Sequence, residues 1–167
     1  AAPPSMIRAG LGDTICRTTA QADWLLSHLL LGTEYRLLPF DLLARDEAQL
    51  LEMVKALLAG DLQAMRVLIR TLVLSGLGTA IVGSSAPASQ AEHLISHYID
   101  MLADLKRPMV LHGEQVGVTT LSSARLQQTM LEGKAPVVVA DTTTETDFAT
   151  HFGKELAPSI WSEFAMK

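Results

Sequence analysis

The chain has 167 residues, a length that suits one domain with enough material for a real core. Hydrophobic residues make up 49% and aromatics only 5%, so the apolar content is aliphatic, as in a helical protein built on Leu, Ala and Met. A net charge of −5 argues against a nucleic-acid or anionic-membrane partner, and the lone Cys16 excludes an internal disulfide framework.

Ala1-Ala2-Pro3-Pro4-Ser5 has neither the basic region nor the apolar run of a signal peptide. Gly12-Asp13 opens the first predicted helix, with Ile15, Ala22, Leu25, Leu26 and Leu29 at helical spacing before Gly32 ends it. Cys16 reads as a small buried hydrophobe in a reducing cytosol, and Trp24 as a core residue. Asp46, with Gln49 three residues on, is the expected N-cap of a second helix whose stripe is Leu50, Leu51, Val54, Leu57 and Leu58, up to Gly60. Asp61 caps a third, carrying Met65, Leu68, Ile69, Leu72 and Val73. Its apolar run over 71–83 is too short for a membrane span and contains Gly76 and Gly78, which predicts a buried central helix.

A loop over 83–88 leads to a helix whose capping box is Ser89 and Glu92, with Leu94, Ile95, Tyr98, Ile99, Leu102 and Leu105 predicted to pack inward until Pro108. His112 begins another helix, through Leu121, Leu126 and Met130 to Gly133. Val137-Val138-Val139 is the only strand-like run, and the tail over 143–167 reads as short helices interrupted by Gly153 and Pro158. The pattern predicts an all-α, bundle-like single domain over 1–167.

Three of the five histidines fall within twenty residues, as His93, His97 and His112. His93 and His97 are four apart, so both imidazoles project from one face of a helix. Neutral imidazole is the commonest transition-metal ligand, and a catalytic metal usually takes three protein ligands and leaves one position open. His93 or His97, His112 and one carboxylate from Glu92, Glu114, Asp100 and Asp13 would supply that set. A metalloprotease helix is set aside, because Leu94 stands where its glutamate is needed. From spacing alone, a solvated polar face continued by Asp100 and Asp104 is the commoner reading of the pair, and His28 and His151 read as structural. Gly10-Leu11-Gly12-Asp13 reads either as a turn and N-cap or as backbone that approaches a ligand. The 83–88 loop reads as a connection, with phosphate binding at the following helix N-terminus as the alternative.

Three motifs in order carry a resemblance. They are Ala9-Gly10-Leu11-Gly12-Asp13, then Pro87-Ala88-Ser89-Gln90-Ala91-Glu92-His93-Leu94-Ile95-Ser96-His97, then His112-Gly113-Glu114-Gln115-Val116-Gly117. The chain resembles the C-terminal helical domain of sn-glycerol-1-phosphate dehydrogenases, within the iron-containing alcohol dehydrogenase and dehydroquinate synthase-like superfamily. That resemblance implies a divalent ion, zinc above iron or nickel, on Asp13, His93 and His112, with Asp13 and His97 contacting substrate and His97 taking part in catalysis. It implies NAD(P)H-dependent reduction of dihydroxyacetone phosphate to sn-glycerol 1-phosphate in the cytoplasm, in phospholipid metabolism. The metal would polarise the substrate carbonyl.

Two departures stand out. The family commonly has Arg where this chain has Ala86 and Gly where it has Gln90, which leaves room for an unphosphorylated polyol substrate. No Gly-x-Gly-x-x-Gly turn or alternating strand–helix pattern marks the α/β nucleotide-binding domain with which such enzymes begin. The chain therefore reads as a fragment, without an initiator Met, that binds metal and substrate but transfers no hydride alone. Exposed apolar surface on such a fragment predicts a homo-oligomer, with no membrane span.

Overall fold

The computed structural model describes residues 2–103, 110–134, 137 and 139–165. Their order is α1 (Pro4–Ile15), α2 (Arg17–Leu31), α3 (Leu38–Asp41), α4 (Ala44–Glu52), α5 (Val54–Leu58), α6 (Leu62–Val82), α7 (Ala91–Met101), α8 (His112–Glu132) and α9 (Glu145–Ala165). Among the described residues there is no strand, so the all-α expectation holds. Of the strand-like run, Val137 and Val139 are not in a strand and Val138 lies outside the described residues, as do Leu105 and Pro108.

Helix ends follow the sequence signals in several places. Asp61 caps α6 by accepting the Ala64 amide at 2.8 Å, and Gly32 and Gly83 close α2 and α6 in the left-handed conformation that glycine adopts without penalty. Other signals mislead. Gly12-Asp13 opens nothing: α1 begins at Pro4, whose missing amide costs nothing in a first turn, and Gly10, Gly12 and Asp13 lie inside it. Asp46 is not a cap but a buried first-turn residue of α4, paired with Arg70 at 2.9 Å.

Gly12 serves an approach between helices. A Cβ added there would lie 1.9 Å from the Gly113 carbonyl oxygen, and one added at Gly113 would lie 2.0 Å from that of Ala9. Gly117 continues the seam: a Cβ added there would lie 3.1 Å from the Gly12 Cα. The backbones of α1 and α8 thus touch, closer than the usual 8–10 Å or so between helix axes permits with side chains between them.

The core beside this crossing is Leu50, Leu57, Ala64, Val67 and Leu68, with Ile7, Leu11, Met53 and Leu72 packed against it. It takes one face of α6 only. Ile69, Val73, Leu77 and Ile81 are 60%, 58%, 51% and 44% exposed, so α6 is not the fully buried helix expected. Spacing explains the split: these four recur every fourth residue on the face opposite Val67, Thr71 and Gly78. At 21 residues and a mean hydropathy of 1.6, α6 is long and apolar enough to cross a membrane by length and composition, which the 71–83 run alone did not suggest. Here its inner face packs in the core.

Arg17 is fully buried and knits several segments together. Its guanidinium pairs with Glu47, donates to Ser75 Oγ at 3.2 Å and to the carbonyls of Pro39 at 2.9 Å and Pro87 at 3.4 Å, and lies over the Phe40 ring. Trp24 is buried against Tyr35 and Phe40, and the His28 ring stacks on Tyr35 and meets the Thr33 carbonyl at 2.6 Å.

The described residues group into two compact units, Ala1–Gly133 and Lys134–Lys167. In the second, Gly153 at φ 77° kinks α9, while Pro158 is accommodated within the helix. Phe148, Trp161 and Phe164 pack together there with ring centres 5.0–5.6 Å apart.

The seam can be tested with two alanines. Gly12→Ala should push α1 off α8 and destabilise the chain by about 3 kcal/mol, since overpacking against backbone cannot relax through a rotamer. Gly76→Ala, with open space around it, should stabilise by roughly 0.5–1 kcal/mol. Urea denaturation of both variants checks the pair.

Candidate metal centre

The seam determines what stands at its end. Asp13 follows Gly12 on α1, and His112 precedes Gly113 as the first residue of α8, so the backbone contact brings this carboxylate and imidazole to the same place. α7 adds His93. Its inward face is not the predicted Leu94, Ile95 and Leu102, which are 69%, 38% and 54% exposed, but Glu92, His93 and Ser96. A polar face can be buried because its groups satisfy one another: Gln115 on α8 donates to both the Ser96 carbonyl and its hydroxyl at 2.8 and 2.9 Å.

Asp13, His93 and His112 each offer a ligand atom, and all of these lie within 4.8 Å of one another. His93 Nε2 is 3.6 Å from Asp13 Oδ1, an ion pair longer than a hydrogen bond. The His93 and His112 rings are 5.3 Å apart. His112 and His97 are exposed and stacked at 5.7 Å, and His97 lies 6.2 Å from His93. One carboxylate and two imidazoles at this spacing fit a three-ligand catalytic site for a divalent ion, and the exposed side leaves room for a fourth ligand.

The structure sorts the four carboxylates that the sequence left open. Asp13 faces the two histidines. Glu114 pairs with Arg8 at 2.8 Å, and Asp100 accepts from Gln115 at 3.1 Å. Glu92 is wholly buried behind His93, its Oε1 accepting from Nδ1 at 2.9 Å. Sequence adjacency of Glu92 and His93 was visible, but neighbours on a helix are about 100° apart, so nothing in the spacing announced this contact.

Cys16 also comes within ligand distance of Glu92 and His93. Burial pushes its thiol well up, and the nearby Glu92 and Asp13 charges push it further, so it stays protonated in the metal-free chain. It donates to the Asp13 carbonyl at 3.1 Å, which supports its reading as a buried structural residue.

The 83–88 loop behaves as a connection. The Gln90 amide is taken by Glu92 at 2.8 Å and the Ala91 amide by Asp23 at 3.3 Å, so carboxylates already occupy the amides that open α7. The expected cap Ser89 is replaced by Gln90, whose side chain donates to the Ala86 carbonyl at 3.1 Å. The two departures from the family pattern therefore touch each other.

Electrostatics bind the cluster together. Burial opposes a charged His93, yet Asp13 and Glu92 together outweigh it and push the imidazole up to about 9. The His93 imidazolium in turn holds the Asp13 carboxyl below its ordinary range, against the cost of burial. Burial would raise Glu92, but His93 and the Gln90 amide more than reverse it.

A pH dependence follows for the metal-free chain. A raised imidazole contributes stability that is complete below the ordinary value of 6.5 and is lost as pH rises through about 9. The two lowered carboxyls contribute stability present above their ordinary 3.8 and 4.5 and lost on acidification. Thermal melts in chelator should peak between these ranges and decline toward pH 9, and His93→Gln should flatten the alkaline decline. A wild-type alkaline limb as flat as the variant's would contradict this.

No model of a known protein family matches the chain. Curated sequences do match. It is 38% identical over 120 residues to an NAD(P)+ glycerol-1-phosphate dehydrogenase of Staphylothermus marinus, covering 72% of this chain and 33% of that protein. The enzyme of the same name in Thermococcus kodakarensis is 39% identical over 125 residues, covering 75% and 35%. That of Bacillus subtilis is 39% identical over 118 residues, covering 70% and 30%. This similarity shows the family of the chain. It belongs to the glycerol-1-phosphate dehydrogenase family, and it spans about a third of the length of the curated relatives it matches.

Proposed function

We propose that residues 1–167 form the metal- and substrate-binding domain of an NAD(P)-linked glycerol-1-phosphate dehydrogenase that reduces dihydroxyacetone phosphate to sn-glycerol 1-phosphate. The observation that supports this most is the convergence of Asp13, His93 and His112 ligand atoms within 4.8 Å beside an exposed face. A divalent ion there, zinc by preference with iron or nickel as alternatives, would supply Lewis acidity to a carbonyl oxygen.

The chain's own residues have separate tasks. Asp13 contributes the negative charge of the set and faces the substrate side. His93, held from behind by Glu92, presents Nε2 toward Asp13. His112 closes the set from the start of α8. His97, exposed beside His112, orients the substrate and passes a proton to its oxygen as the hydroxyl forms. The hydride is supplied by NAD(P)H, and this chain alone transfers none.

A second reading rests on Gln90. Its bond to the Ala86 carbonyl occupies the place where the family commonly has Arg and Gly, so a charge that would hold a phosphate is missing. An unphosphorylated polyol is the substrate this favours, and comparing dihydroxyacetone with its phosphate as ligands separates the two. The exposed Leu29, Leu30 and Leu31, with Ile69 and Val73, suit a homo-oligomer in the cytoplasm.

Metal content by mass spectrometry tests the central reading. The chain should carry about one divalent ion, lost in Asp13→Asn and in His112→Ala. No ion after incubation with zinc and with nickel would favour a helical interaction module over an enzyme.

A further inference from the structure

Glu92 is a carboxylate with no exposed surface, in a chain that could have placed any apolar residue there. A buried charge persists only with partners, and each of its oxygens has them. Oε1 accepts the Gln90 amide at 2.8 Å and meets His93 Nδ1 at 2.9 Å. Oε2 lies 3.2 Å from the Thr19 hydroxyl, itself buried on α2 and shared with the Cys16 carbonyl at 2.8 Å. Glu92 also sits in the first turn of α7, where the helix dipole favours an anion. The carboxylate is therefore pinned from the loop, from α2 and from its own helix, and its remaining contact is the imidazole.

The consequence falls on His93. A carboxylate accepts and cannot donate, so the nitrogen facing it must carry a proton. Nδ1 carries it, and Nε2 is left to the opposite side, toward Asp13. The ring of a neutral histidine would otherwise choose between two tautomers and turn about its side-chain bonds.

We propose that Glu92 is a positioning residue: it fixes the His93 ring and its Nδ1–H tautomer so that Nε2 is the nitrogen offered to a divalent cation shared with Asp13 and His112. This rests on the metal reading above and extends it to a residue that touches neither ion nor substrate. Partners of this kind typically contribute about 10–100-fold to metal affinity.

The test uses zinc and the whole chain. Glu92→Gln keeps volume and removes charge, and Glu92→Asp keeps charge but draws the carboxylate back by about 1.5 Å, one carbon–carbon bond. Competition with a chromogenic chelator should show zinc bound about 10–100-fold more weakly by both variants. In ¹H–¹⁵N spectra the wild type should show a downfield, slowly exchanging His93 Nδ1–H, shifted upfield or lost in the variants. A purely structural role would leave that resonance in place in any variant that folds. If Glu92→Gln fails to fold, Glu92→Asp decides. Wild-type zinc affinity in a folded variant would overturn the proposal. A wild-type chain that takes no zinc would overturn the metal reading instead. Glu92 would then be judged on the resonance alone: displacement in the variants supports its hold on the ring, and an unchanged signal refutes it.

Discussion

Two helix backbones that touch leave no room for a side chain between them, and the arrangement of Asp13, His93 and His112 depends on that contact. The Gly12–Gly113 seam places the residue after one glycine beside the residue before the other. Neither Asp13 nor His112 needs a long reach or a strained loop, because each sits on a helix whose position the seam fixes. Groups held on regular helices are located more tightly than groups on loops, and a ligand set must be located tightly. The seam is also intolerant: no other residue type lets the two carbonyl rows approach so closely.

Around this contact the molecule buries polarity where a simple core would bury leucine. Ser96, Gln115, Thr119, Thr120, Glu92 and Arg17 are all buried, while leucines on α2, α6 and α7 face outward. Each of these groups has a hydrogen-bond partner, and a satisfied polar interior fixes one arrangement of helices more sharply than interchangeable aliphatic contacts do. The sorted carboxylates show the same economy of position. Asp13 faces the cluster, Glu92 stands behind it, and Glu114 and Asp100 are occupied elsewhere.

The sequence made the helices legible where a local signal was sufficient. Asp61, Gly32, Gly83 and the stretch from His112 to Gly133 all marked true ends, because capping is decided within one turn. Orientation was less legible. Of the stripe predicted to pack inward, Tyr98 and Ile99 are half-buried but Leu94, Ile95 and Leu102 are exposed, since hydrophobic periodicity assumes that a buried face is apolar. Gly12-Asp13 resembled a helix start because glycine more often ends helices than lets them cross. The histidine grouping was legible from spacing, and the resemblance singled out Asp13, which no periodicity could. The neighbours of Asp13, His112 across the seam and His93 on α7, lie about a hundred and about eighty residues away in sequence, respectively, and the Glu92–His93 contact, though between adjacent residues, is not announced by helical spacing; none was readable locally.

Arg17 carries a different implication. Its planar guanidinium spans the Pro39 carbonyl, the Ser75 hydroxyl, Glu47 and the Pro87 carbonyl, which belong to four separate stretches of chain. Pro87 lies just ahead of the helix that carries His93. A displacement of α3 or α4 is thus transmitted through one rigid fork to the loop that aims α7, and a lysine, with a single ammonium point, could not hold those directions at once. The cluster of Asp13, His93 and His112 is in this sense steadied by one buried cation, a brace that ties the approach to α7 to α3 and α4.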